Sequence, residues 1–153
     1  MVVTGIRIGL ISMSSAAIHI CSFKLIVLYQ YNAGLFVVMG ATAALAPTPG
    51  MLAYGLSKNA VHHVVQTLGT KGELVKSAEP ATVIAILPSM LDTPANRSHS
   101  PEVTDYGHWT KTKDIAEEIG RWITTPDFRP HSGSLVKVFP DKSGKGAVFR
   151  LAR

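Results

Sequence analysis

The feature that most restricts the fold is a set of short apolar runs, each closed off by glycine or proline. They are "GLFVVMG" at 34–40, "ATVIAILP" at 81–88 and "GSLVKVF" at 133–139. Runs of this length without polar alternation suit strands buried on both faces, as in a parallel sheet covered by helices. Between the first two, "YGLSKNAVHHVVQTLGTKGEL" places Leu56, Val61, Val64, Val65 and Leu68 at helical spacing, with Gly69 and Gly72 as candidate stops. Between the second and third, "TKTKDIAEEIGRWITT" puts Ile115, Ile119, Trp122 and Ile123 on one face, and Asp114 with Glu117 fits a capping box. The order strand, helix, strand, helix, strand implies parallel strands joined by crossover helices, an α/β layered domain. A polar stretch at 89–109, "SMLDTPANRSHSPEVTDYGHW", exceeds a simple connector, and such loops often carry function.

A chain of 153 residues is the size of one domain. Its hydrophobic content of 46% and charged content of 16% exclude a disordered polymer. The net charge of +5 is spread along the chain. Lys142, Lys145, Arg150 and Arg153 form the one basic grouping, and no aromatic residues interleave with them for base stacking. They read as a solvated tail, and no nucleic-acid partner is expected. The lone cysteine, Cys21, excludes an internal disulfide framework and suits a reducing, cytoplasmic compartment.

The first 46 residues are strongly apolar, interrupted by Arg7, His19 and Lys24. Serines dilute any secretory core after Arg7, and the apolar character continues past a cleavage point near Ser15–Ala17. Lys24 cuts the best window for a membrane span of about 20 residues. A buried segment of a globular domain is therefore expected here, with no membrane association.

Tyr54 and Lys58 lie four positions apart in the predicted helix, hence on one face and about 6 Å apart along its axis. An ammonium beside a phenol favours the phenolate and lowers a pKa that is ordinarily about 10. Such a tyrosine can act as a general acid at neutral pH. The pair alone is a weak signal, since a helix-end tyrosine and a solvated lysine would look the same. Its setting is more specific. The pair opens the element that leaves the first buried run, and the second run leads into "PSMLDTP". Ligands of open α/β sheets bind beyond the carboxyl ends of the strands. The loops after both runs are thus predicted to meet at one crevice.

These motifs resemble the short-chain dehydrogenase/reductase family, in which a Tyr-x-x-x-Lys helix precedes a Pro-Gly-x-x-x-Thr segment. Tyr54 and Lys58 match the first motif; Pro88 and Thr93 match the second, with Ser89 in place of its glycine. Within that family, "GATAALAPTPGMLAYGLSKNAVH", "AILPSMLDTPANR" and "RPHSGSLVKV" are similar to the dihydropteridine reductases, over residues 34 to about 139. Most members carry a serine thirteen residues before the tyrosine; here that position is Ala41, as in the dihydropteridine reductases. The resemblance implies a three-layer, Rossmann-like parallel sheet, incomplete, equivalent to the C-terminal half of a doubly wound domain. It implies NADH or NADPH as cofactor and a quinonoid dihydropteridine as substrate. Tyr54 would donate the proton, and Lys58 would lower its pKa and bind the nicotinamide ribose. Pro88, Leu91 and Thr93 would hold the nicotinamide carboxamide. Trp109, in the long loop, is the candidate to stack on a flat pterin. A homodimer through the 54–68 helix is also implied.

The family's glycine-rich phosphate turn has no good counterpart. "VVTGIRIGLIS" offers Gly5 and Gly9, but too few residues precede it for a strand and Ile11 stands where a third glycine is needed. Residues 1–33 are therefore read as an apolar leader unmatched to the family, and 34–153 as the C-terminal half of a reductase domain. Residues 12–20, "SMSSAAIHI", are a weak match to the helix before the first run, and "FKLIVLYQY" has no counterpart. The competing reading is a non-catalytic fragment that pairs with a full-length subunit. His62 and His63 are adjacent, so they point about 100° apart and cannot chelate one metal; no metal site is expected. Trp122 is read as core, and Asp92 with Arg97 as a loop anchor.

Overall fold

The computed structural model describes residues 34–70, 82–141 and 146–152, together with the backbone of two short strands before them. In chain order these elements are β1 (Ile8–Gly9), β2 (Ile26–Leu28), β3 (Leu35–Met39), α1 (Leu52–Gly69) and β4 (Thr82–Pro88). There follow β5 (Leu91–Asp92), α2 (Pro94–Ser98), β6 (Thr110–Lys111), α3 (Thr112–Thr124), β7 (Ser134–Pro140) and β8 (Ala147–Leu151). Most of the leader, including Cys21, Lys24 and the stretch 12–20, lies outside the described residues, as do Gly5, Gly72, Lys142, Lys145 and Arg153.

The main sheet has the order β1-β2-β3-β4-β7-β8. Its centre, β3-β4-β7, is parallel, and the remaining pairs are antiparallel. Side chains alternate between the two faces. Leu35, Val37, Ile84, Ile86, Val136 and Val138 pack with Ile115 and Trp122 of α3. Val38, Val83, Ala85, Leu87 and Leu135 pack with Val61 and Val65 of α1. Helix, sheet and helix thus form three layers. Both faces of β4 are covered, which is why its sequence runs apolar without interruption: Ile84, Ala85, Ile86 and Leu87 are all fully buried. Burying an aliphatic side chain of this size stabilises the fold by about 1.5–3 kcal/mol.

Several local expectations are corrected. Asp114 and Glu117 do not form a capping box: Lys111 is the N-cap of α3, without a side-chain cap bond. The pairing of Thr110–Lys111 with Leu91–Asp92 fixes where the chain enters α3, so the helix begins before Asp114. Asp114 instead lies in the first turn, where its charge complements the helix dipole. Leu56 and Val64 are not core, being 64% and 48% exposed, whereas Val61 and Val65 are buried. Arg150 belongs to no loose tail; it sits on β8, opposite Lys137 of β7. Phe149 from the same strand meets Trp122 edge-on, with ring centroids 6.1 Å apart. Among the described residues no helix is long and apolar enough to cross a membrane.

Candidate active site

The carboxyl ends of β3 and β4 are stitched together. The Gly40 amide donates to the Ile86 carbonyl at 2.8 Å, and the Thr42 hydroxyl donates to the Leu87 carbonyl at 2.7 Å. The loops leaving these strands therefore start side by side, as the crevice argument requires. Loop 46–51 then turns the chain into α1. Close packing there needs a glycine: a Cβ on Gly55 would lie 2.0 Å from the Thr48 hydroxyl.

Tyr54 occupies the first turn of α1 and is 38% exposed. Lys58 follows one turn later, half-buried, and its ammonium donates to the Met39 carbonyl at 3.1 Å. Met39 pairs in register with Ile86, so Lys58 is held at the strand edge that continues into Pro88. One more turn along, His62 is buried, and its Nε2 accepts a hydrogen bond from the Ala41 amide at 3.2 Å. Burial, and secondarily the positive charge of Lys58, hold the His62 imidazole below its ordinary pKa. The neighbouring His63 is exposed. Asn59 extends the pinning, its side-chain amide reaching the Ala44 carbonyl at 3.3 Å.

The second motif forms a small hoop. Pro88 ends β4, the Ser89 amide donates to the Val138 carbonyl at 3.2 Å, and Leu91–Asp92 pair with Thr110–Lys111. Thr93 caps α2, its hydroxyl oxygen accepting from the Asn96 amide at 3.2 Å, with Pro94 at the first helical position. A hydroxyl that accepts in this way keeps its own proton to donate. The Asn96 side chain also donates to the Leu91 carbonyl at 2.8 Å, leaving that oxygen a second lone pair. Asn96 thus shapes both groups that the second motif singles out, a role that the sequence reading missed. Its signal was Thr93-Pro94, a cap followed by an N1 proline.

Asp92 and Arg97 form a bidentate pair, with Nε–Oδ1 at 2.6 Å and Nη2–Oδ2 at 2.8 Å. The Arg97 guanidinium, hydrogen-bonded to Asp92, holds its carboxyl below the usual range. Arg97 also lies over the Tyr106 ring, 4.3 Å from its centroid, and Tyr106 meets Trp109 edge-on at 4.9 Å. This corrects the expectation for Trp109. Its ring is only 9% exposed, packed inside the hoop rather than open to a ligand. Trp122 is 1% exposed and core, as read from its stripe.

A separate cleft of about 630 Å³ lies beside α1, lined by loop 44–50 with Leu52, Gly55, Leu56 and Asn59; Tyr54 and Lys58 are not part of its wall. Among the described residues no three His, Cys, Asp or Glu side chains converge as metal ligands. The polar groups that a nicotinamide end would meet at this strand edge are these. The Thr93 hydroxyl offers a free donor and Lys58 a half-buried cation. No Gly-x-Gly-x-x-Gly turn for the pyrophosphate occurs in the sequence.

No protein-family model matches the chain. Over 110 residues it is 43% identical to the dihydropteridine reductase of Dictyostelium discoideum, a match covering 72% of this chain and 46% of that protein. It is 28% identical over 111 residues to an uncharacterized oxidoreductase of Staphylococcus epidermidis, covering 71% of this chain and 44% of the relative. The chain therefore spans about half the length of the curated relatives it matches. Among solved structures, 4-hydroxyisoleucine dehydrogenase complexed with NADH superposes with a TM-score of 0.51 at 22% identity, over 73% of this chain and 48% of that one. At that identity the likeness speaks for the fold alone, a Rossmann-like α/β arrangement. By sequence, over most of its length, this chain is similar to a dihydropteridine reductase, of which it spans about half.

Proposed function

We propose that the chain carries the proton-donating part of a nicotinamide-dependent reductase site, with a quinonoid dihydropteridine as substrate and the tetrahydropteridine as product. The observation that carries this reading is Lys58, one turn beyond Tyr54, with its ammonium drawn to the carboxyl edge of the sheet by the Met39 carbonyl. Its support in sequence is the 43% identity to a dihydropteridine reductase. NADH or NADPH, when bound, supplies the hydride. The chain's own residues do the rest. Tyr54, exposed in the first turn of α1, hands a proton to the ring that is being reduced. The Lys58 charge favours the phenolate left behind and offers a donor to the ribose. Pro88, Leu91 and Thr93 form the seat for the carboxamide, with the Thr93 hydroxyl as donor and the Leu91 carbonyl as acceptor. Ala41 is 3% exposed and brings no hydroxyl to this edge, which suits an electron-poor ring that needs no polarised ketone.

The stripe of Leu52, Leu56 and Val64, respectively 73%, 64% and 48% exposed, extends the reading to pairing with a second reductase subunit through α1. The helix bears no carboxylate, and its one lysine is directed to Met39, so two such faces meet without like-charge repulsion. Sedimentation of the wild type and of Leu56→Glu checks this: a dimer disrupted by the glutamate is expected, and a wild type that stays monomeric would overturn it.

The enzymatic reading is checked by following NADH oxidation by the purified chain in the presence of a quinonoid dihydropteridine. Turnover is expected, with Tyr54→Phe slower by about 10²–10⁴-fold, the usual worth of a general acid. A rate no greater than the uncatalysed one, or unchanged in Tyr54→Phe, would refute it.

A further inference from the structure

His62 has no part in the proposed reductase chemistry, yet it is one of two buried polar side chains among the described residues. Its Nε2 faces the Ala41 amide at 3.2 Å. An amide N–H can only donate, so Nε2 must carry a lone pair, and the neutral ring then holds its proton on Nδ1. The sequence accommodates this contact at a distance. A Cβ on Gly40 would come within 2.6 Å of His62 Nε2 and 2.8 Å of its Cδ2. Only glycine at position 40 lets the ring approach this segment so closely.

Lys58 and His62 are one helical turn apart, so they face the same way. They grip consecutive parts of one segment: Lys58 takes the Met39 carbonyl and His62 takes the Ala41 amide. The two bonds bracket Gly40, whose own amide is held by Ile86. We infer that His62, as a neutral Nδ1–H imidazole, is a positioning residue that locks the 39–41 segment to α1 and thereby sets where the Lys58 ammonium is presented. A space-filling ring would satisfy the packing but could not accept the Ala41 proton. A protonated ring would aim a hydrogen at that proton and add a positive charge one turn from Lys58. The catalytic meaning of this lock rests on the reductase reading; the lock itself does not.

The experiment uses the isotopically labelled chain and NMR, without cofactor or substrate. In the wild type, the His62 Nε2 signal should be that of an unprotonated ring nitrogen. His62→Phe should speed hydrogen exchange of the Ala41 amide roughly tenfold, as expected for one lost hydrogen bond, and should shift the Lys58 side-chain signal and its titration. His62→Gln, which restores an acceptor oxygen, should return both towards the wild type. A wild-type ring protonated on Nε2 would overturn the inference, even if His62→Phe failed to fold. So would a folded His62→Phe with unaltered Ala41 exchange and Lys58 titration. None of these signals depends on turnover, so a failure of the reductase assay and a failure of the lock are told apart.

Discussion

The Lys58 ammonium donates to the Met39 carbonyl at 3.1 Å, fastening the middle of α1 to the last residue of β3. Lys58 therefore has a structural load that Tyr54, at the exposed start of the helix, does not share to the same degree. Lys58→Met is expected to lower stability by about 1.5–3 kcal/mol, the range for a hydrogen bond made by a charged group. Tyr54→Phe should stay within about 1 kcal/mol of the wild type. Urea unfolding of both variants checks this. Equal losses, or a larger loss in Tyr54→Phe, would contradict it.

His62 should leave a signature in the pH dependence of stability. Its folded-state pKa lies below the ordinary 6.5, through burial first and the Lys58 charge second. The unfolded chain thus binds the proton more readily than the folded one. Stability from this group is complete above about pH 6.5 and is lost as the pH falls from there through the folded-state value. Asp92, whose pKa lies below 3.8, titrates in a lower window and does not obscure the effect. Unfolding midpoints measured from about pH 7.5 to about pH 5 should decline in the wild type and flatten in His62→Gln.

Thr110 is fully buried and its hydroxyl has no hydrogen-bond partner among the described residues. Its backbone amide is engaged with the Met90 carbonyl at 2.7 Å, so only the side chain is in question. Thr110→Val keeps the shape and removes the orphaned oxygen. A gain of about 1 kcal/mol is expected, read as a higher urea midpoint. A clear loss would show that the hydroxyl is satisfied.

The two tryptophans should respond differently. Trp122 fills the core between α3 and the sheet, and Trp122→Ala is expected to cost about 3–5 kcal/mol. Trp109 lies in the hoop that Asp92, Arg97 and Tyr106 close. Arg97→Ala should loosen that hoop and expose Trp109 while leaving Trp122 buried. Acrylamide quenching of single-tryptophan variants would register the change, and identical quenching of Trp109 with and without Arg97 would contradict it.

The central strands were legible because each is one buried run without a competing pattern. The runs at 34–40, 81–88 and 133–139 became strands at 35–39, 82–88 and 134–140. Periodicity finds α1 but cannot say which apolar positions of the stripe face the sheet: Val61 and Val65 do, whereas Leu56 and Val64 are exposed. The strands β5, β6 and β8 escaped notice because partners outside each segment set them: the first two pair with each other, and β8 with β7. That pairing also moved the start of α3 and removed the supposed capping box. At the site, Tyr54, Lys58 and Thr93 were picked out by spacing and resemblance. His62 and Asn96 were not, since their meaning depends on contacts with Ala41 and Leu91 that no local pattern announces. In sequence the long polar loop gives no sign of folding back on itself, so Trp109 reads there as an open platform although it is buried.

The decisive measurement is a titration of the isotopically labelled chain with NADH, followed by NMR. Saturable shifts are expected at the Ala41–Thr42 and Leu91–Thr93 amides and at the Lys58 side chain, weakened in both Lys58→Met and Thr93→Val. No saturable shift, or shifts confined to the cleft between loop 44–50 and Leu56, would contradict the proposal that this strand edge is the nicotinamide side of a reductase site.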